Sequence, residues 1–151
     1  MALEFMDFAT RIFAAVALGA IIGIEREYHK RPAGILTLPL VALGSALMTI
    51  ISFSVPGVPD PTRIAAGIAT GIGFIGAGSI LKVKDSVRGI TTAAAIWVVA
   101  ALGMAAGFGM YMEAFVTAIL GVFIVFIGYP IKDYLENRPN NHAKEKKWKT
   151  A

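Results

Sequence analysis

The sequence predicts an all-α integral membrane protein: a bundle of five transmembrane helices with a glycine-rich helix at its centre. Three observations carry this expectation. Hydrophobic residues make up 56% of the chain and charged residues only 16%, against about half and a quarter in soluble domains. The apolar residues fall into five long runs broken by short polar stretches. Lysine and arginine collect in alternate loops, the pattern of a multi-pass chain with its positive side in the cytoplasm.

The first run covers about residues 8–24. The acidic start, with Glu4 and Asp7, lacks the positive region of a secretory signal, so the run is read as a retained span. Asp7 and Arg11 stand four apart and pair on a helix surface, and Gly19 and Gly23 give a close-packing face. A charged loop, 25–32, follows. The second run covers about 35–55, with Pro39 early, where its missing amide costs least. Pro56 to Pro61 ends that span, and Asp60 followed by Pro61 reads as the N-cap and first residue of the third helix.

The third run, Ile64 to Leu81, carries no charge and holds Gly67, Gly71, Gly73, Gly76 and Gly78. So many glycines weaken a helix in water, but in lipid small residues let helix backbones approach closely. At about 100° per residue, Gly67, Gly71 and Gly78 fall on one face and Gly73 and Gly76 near the opposite one. Two smooth faces suit a helix packed between two neighbours, hence its expected central place. Gly71 to Gly76 also fits the dinucleotide fingerprint G-x-G-x-x-G, but the preceding strand that motif needs is missing. The fourth run covers about 89–107, with Thr91, Thr92 and a Gly103/Gly107 pair, and Phe108-Gly109 makes a short hairpin. The fifth, about 110–130, is rich in phenylalanine and branched aliphatics and suits a lipid-facing edge. Residues 1–131 are thus read as the transmembrane domain and 132–151 as a basic tail lying on anionic headgroups.

Charge orients the bundle. Arg26, Lys30 and Arg31 follow the first span, Lys82, Lys84 and Arg88 follow the third, and six further lysines and arginines lie beyond the fifth, whereas only Arg11 and Arg63 fall on the other side. The amino terminus is expected outside and the carboxyl terminus in the cytoplasm. The absence of cysteine excludes disulfides and thiolate metal sites. His29 and His142 lie outside the spans, and no nucleophile–base–acid set can be assembled, so the chain is not expected to be an enzyme. The polar residues best placed for function are Glu25, Arg26 and Glu27 leaving the first span and Arg88, Thr91 and Thr92 entering the fourth. Glu25 and Glu27 are candidate ligands for a hard cation such as magnesium, which favours oxygen donors. Arg88 is the expected bidentate partner of Glu25. The plainer alternative is that these charges only anchor helix ends in the headgroup region.

Three blocks together resemble the MgtC/SapB family of membrane proteins. They are Gly23-Ile-Glu-Arg-Glu27 with Ala33-Gly34 and Leu40 to Ala46; Gly71 to Gly78; and Arg88-Gly-Ile-Thr-Thr-Ala-Ala-Ala-Ile-Trp97. The resemblance covers about residues 10–130. It implies a multi-pass inner-membrane protein of magnesium homeostasis and adaptation to low magnesium, linked in pathogens to survival in macrophages. Alternatives it leaves open are a cation or small-solute transporter or channel, a homo-oligomer, or a modulator of another membrane protein such as ATP synthase. Many members have a polar Leu-Arg-Thr-His-like stretch where this chain reads Ile35-Leu-Thr-Leu-Pro39, which weakens any site built on those side chains. The soluble carboxyl-terminal domain that some members carry is not expected here.

Overall fold

The computed structural model describes residues 4–54, 60, 62–84 and 86–136, with the side chains of residues 133 and 136 left out. Most of the Pro56–Pro61 loop and the basic tail from 137 onward therefore lie outside the described residues. The chain forms five helices, α1 (Phe5–Tyr28), α2 (Thr37–Ser54), α3 (Thr62–Gly78), α4 (Ile90–Gly107) and α5 (Tyr111–Glu136), and a two-stranded hairpin, β1 (Leu81–Val83) and β2 (Ser86–Arg88). Four of the helices, α1, α2, α4 and α5, are long and apolar enough to cross a membrane. At 17 residues α3 spans roughly 25 Å.

The helix ends follow local chemistry. Asp7 and Arg11 pair at 3.0 Å in the first turns of α1, as their spacing predicts. Pro39 sits in the first turn of α2, where no helical partner is lost. The Asp60 carboxylate accepts from the Thr62 amide at 2.8 Å and from its hydroxyl at 2.6 Å, the expected N-cap of α3. Both α1 and α4 end in the same six-to-one turn. Arg31 N donates to Arg26 O and Lys30 N to Glu27 O after α1; Met110 N donates to Ala105 O and Gly109 N to Ala106 O after α4. The left-handed residue this turn requires is Gly109 (φ 82°) after α4 but Lys30 (φ 52°) after α1.

Two expectations are corrected. The glycine-rich helix is not the centre of this bundle; α4 is. Among the described residues α4 packs against each of the other four helices, while α3 packs chiefly against α4 and, less extensively, α2. Of the five α3 glycines only Gly76 meets a neighbour among the described residues, with Ala93 Cβ 3.5 Å from the position a Cβ would take. Nothing among the described residues lies within 4 Å of the Cβ positions of Gly67, Gly71, Gly73 and Gly78. The closest approach in the bundle belongs to α2 and α4. A Cβ on Gly107 would stand 2.8 Å from Ala46 O and from Thr49 Cβ, and one on Gly103 would collide with the Ala42 carbonyl. The buried core accordingly runs along α2 and α4, through Ala42, Ala46, Ile96, Val99, Leu102 and Ala106.

The second correction concerns boundaries. The third run stops being helical at Gly78, where Ser79 N and Ile80 N turn back to Gly76 O and Ala77 O. Leu81 and its charged successors then form the hairpin, registered Leu81↔Arg88, Lys82↔Val87 and Val83↔Ser86. Lys84 has φ 52°, the left-handed conformation that short hairpin turns use. α5 does not end at Pro130 but continues through it to Glu136. Its outer face, with Phe115, Phe123 and Phe126, is exposed, as a lipid-facing edge requires.

Candidate functional site

The polar residues singled out by the sequence gather at one end of the bundle, where α1 and α5 end and α4 begins. The geometry there is built from α1 outward. Gly23 lets the incoming loop lie directly on the helix: a Cβ there would stand 2.9 Å from Ile35 Cα and 3.1 Å from Gly34 O. Gly34 in turn lies under the Glu27 carboxylate, the movable end of an exposed side chain. The left-handed turn at Lys30 and the close approach at Gly23 let residues 31–34 fold back over the end of α1.

That fold-back delivers carbonyls to Arg26. Its side chain is buried, with the residue only 1% exposed. Nε donates to Pro32 O (3.1 Å) and Ala33 O (3.2 Å), and Nη2 donates to Pro32 O (2.8 Å) and to Thr92 Oγ1 (2.7 Å). Thr92 is itself buried in the first turn of α4. A planar guanidinium can serve such a set of acceptors at once; an ammonium cannot match that fork. Nη1 has no hydrogen-bond partner among the described residues. A cation buried this deeply is expensive unless hydrogen-bonded, so the junction is tightly specified.

Glu25 lies elsewhere. Its side chain is 9% exposed, and His29 Nδ1 stands 2.9 Å from Oε1. The same nitrogen lies 3.0 Å from the Glu25 backbone oxygen with better hydrogen-bond geometry. The carboxylate therefore rests against the ring without an aligned donor among the described residues. Arg88 does not pair with it: Arg88 is exposed at the end of β2. The expected Glu25–Arg88 bridge is replaced by the Arg26–Thr92 bond, because α1 turns Arg26 toward α4 and Glu25 toward His29. Glu27 is exposed over Gly34. Residues two apart leave a helix about 200° apart, so Glu25 and Glu27 do not form a joint cation site here. Thr91 is exposed beside Thr92. Among the described residues no group of three or more His, Asp or Glu is placed to hold a metal ion.

Two residues outside the predicted polar set also belong to this end: Arg31, expected only to orient the bundle, and Tyr129. The Arg31 guanidinium lies 4.2 Å from the Tyr129 ring centroid, and the His29 ring lies tilted against the same ring at 5.5 Å. A tyrosine and a proline near the last apolar residues are an interfacial signal that could have found Tyr129. At the opposite end Arg11 Nη1 donates to Gly107 O at 2.7 Å and the guanidinium covers Phe53.

The family profile of the MgtC family matches residues 12–134. The chain belongs to the MgtC family. Protein MgtC of Brucella abortus is 41% identical over 128 residues, which cover 85% of this chain and 54% of the relative. YhiD of Escherichia coli K12 is 42% identical over 135 residues, covering 84% and 62%. An uncharacterized protein of Synechocystis is 38% identical over 141 residues, covering 91% and 58%. The chain thus spans between about half and three-fifths of the length of these relatives. No solved structure matches it. With four helices apolar enough to cross a bilayer and MgtC-family membership, it is a membrane protein. In the structure the three MgtC-like blocks meet: Arg26 of the first bonds Thr92 of the third, and Gly76 of the second packs on Ala93 of the third.

Proposed function

We propose that this chain is a multi-pass inner-membrane protein of magnesium homeostasis that supports adaptation to low magnesium without catalysing a reaction. The magnesium link comes from family membership and from the Escherichia coli relative, whose name proposes a magnesium transporter. The observation that carries the reading is the buried Arg26–Thr92 bond, which joins two family blocks at one end of the bundle. All five helices cross, with the shorter α3 accommodated by local thinning of the bilayer. The amino terminus lies outside, and the Arg26 end faces the cytoplasm, because Arg26, Arg31, Arg88 and Lys132 sit there and Arg11 sits opposite. Since the chain has no cysteine, single cysteines placed at Asp60 and Lys84 report this topology, and should label from opposite sides. Labelling from one side refutes five crossings.

A second observation bears on how the protein acts. On one face of α3, Gly67, Gly71 and Gly78 leave a smooth surface with no described atom near their Cβ positions, while the core is packed with alanine, glycine and branched aliphatics. Small residues are the usual means of close helix association in lipid. That favours docking on a partner membrane protein or a second copy over a water-filled cation path. Expression in a host that cannot grow in low magnesium tests the function, and rescue is expected. Purified protein in liposomes loaded with a magnesium dye separates the modes. Leak no faster than from empty liposomes supports modulation; uptake abolished by Arg26→Ala supports transport. No rescue by protein verified in the membrane refutes the magnesium role.

A further inference from the structure

Next to the Arg26 junction lies a cavity of about 590 Å³, bounded by the loop after α1, β2, the start of α4 and the end of α5. Its wall carries Arg31, Arg88 and Lys132, together with Thr91, Thr92 and Tyr129, and no acidic side chain among the described lining residues. We infer that this cavity binds a phosphate-bearing anion, supplied by a lipid headgroup or as free phosphate.

Four features converge on that chemistry. The wall is cationic, so its field favours an anion and repels divalent cations. Arg31 is held against Tyr129, which limits its motion and presents the guanidinium in a set orientation. Arg26 adds positive charge from behind, since its Nη2 bonds to Pro32 and Thr92, both part of the wall. The start of α4 forms the floor. Its N-cap is Gly89, which offers no side-chain cap, and the first amide to bond within the helix is that of Ala93. The amides of residues 90–92 are therefore available where Gly89, Ile90, Thr91 and Thr92 line the cavity, the arrangement that favours phosphate at a helix start. The volume falls in the range that holds a phosphate together with part of its carrier. Basic pockets at the cytoplasmic ends of membrane helices are suited to anionic headgroups.

Purified full-length protein in a neutral detergent tests the inference by native mass spectrometry, with phosphatidylglycerol and phosphatidylcholine as competing probes. Phosphatidylglycerol should be retained preferentially. Arg88→Gln and Arg31→Gln should each weaken it about tenfold, the worth of one charge-assisted hydrogen bond. Arg63→Gln, at the far end of the bundle, should change nothing, and unaltered elution of all variants shows that they fold. A second arm measures thermal stability in inorganic phosphate against chloride at equal ionic strength. Stabilisation by phosphate that is lost in Arg88→Gln identifies free phosphate as a source; preference for phosphatidylglycerol alone identifies the headgroup. Equal retention of both lipids with no phosphate-specific stabilisation overturns the inference. So does an equal loss in Arg63→Gln, which would reduce the effect to general surface charge.

Discussion

Gly103→Ala adds one methyl group to the tightest helix contact in the bundle. The new Cβ would meet the Ala42 carbonyl and stand 2.9 Å from both Ala42 Cα and Ser45 Cβ. Relaxed carbon contacts lie near 3.5–4.0 Å, so α2 and α4 must separate by roughly 1 Å. None of the three obstructing atoms is the end of a flexible side chain, and the displacement must be taken by backbone. Overpacking of this kind costs about 1–3 kcal/mol, a loss of up to about 100-fold in the folded-to-unfolded ratio. Gly71→Ala is the matched control. Nothing lies within 4 Å of its Cβ position, and exchanging glycine for alanine inside a helix contributes up to about 1 kcal/mol in favour of the fold. The two single-methyl additions should therefore move stability in opposite directions. Thermal unfolding in detergent, read as the loss of the monodisperse elution peak, measures both. Equal destabilisation by the two substitutions would show that α3 is packed as tightly as α4, and would refute the assignment of α4 as the central helix.

Other consequences follow from the backbone. Lys30→Gly should raise the unfolding midpoint, because the left-handed conformation at Lys30 costs a side-chain-bearing residue about 1–2 kcal/mol that glycine avoids. Gly89→Ala should do the reverse: its φ of 91° is unfavourable for alanine, and the added Cβ would run into the Ser79 carbonyl, so a loss above about 2 kcal/mol is expected in the same assay. The Thr62 hydroxyl and then its amide hold the Asp60 carboxyl below the usual carboxylate range. A depressed value means that this cap stabilises α3 above the unfolded aspartate value of about 3.9 and is lost as pH falls below it. Amide exchange at the start of α3 should accelerate over that acid range in the wild type and be fast throughout in Asp60→Ala.

The sequence made the helices legible because lipid demands long apolar runs, and it made the shared end of the bundle legible because charge alternates between loops. It also paired Asp7 with Arg11 and capped α3 with Asp60, since both depend only on local spacing. It misplaced α3. A glycine face looks the same whether it meets a neighbour within the chain or one outside it, and lipid is as apolar as a helix interface. It also chose Arg88 over Arg26 as the geometrically exacting arginine. Both flank apolar runs, and only the turn at Lys30, with Gly23 beneath the loop, brings the Pro32 and Ala33 carbonyls to Arg26. Glu25 and Glu27 looked like a ligand pair because they are close in sequence, but the helix turns them away from each other. The hairpin is not legible in the sequence, because each strand has only three residues and no buried face to impose alternation.

Growth in low magnesium with Arg26→Lys measures most directly whether the buried guanidinium is the functional element. Lysine keeps the charge but loses the fork that reaches Pro32, Ala33 and Thr92 together. With membrane expression quantified in parallel, Arg26→Lys should fail nearly as badly as Arg26→Ala, Thr92→Val should be impaired, and Thr92→Ser, which keeps the hydroxyl, should grow. Full growth of Arg26→Lys and Arg26→Gln at normal expression would contradict this, and would move the functional site away from the junction of the family blocks.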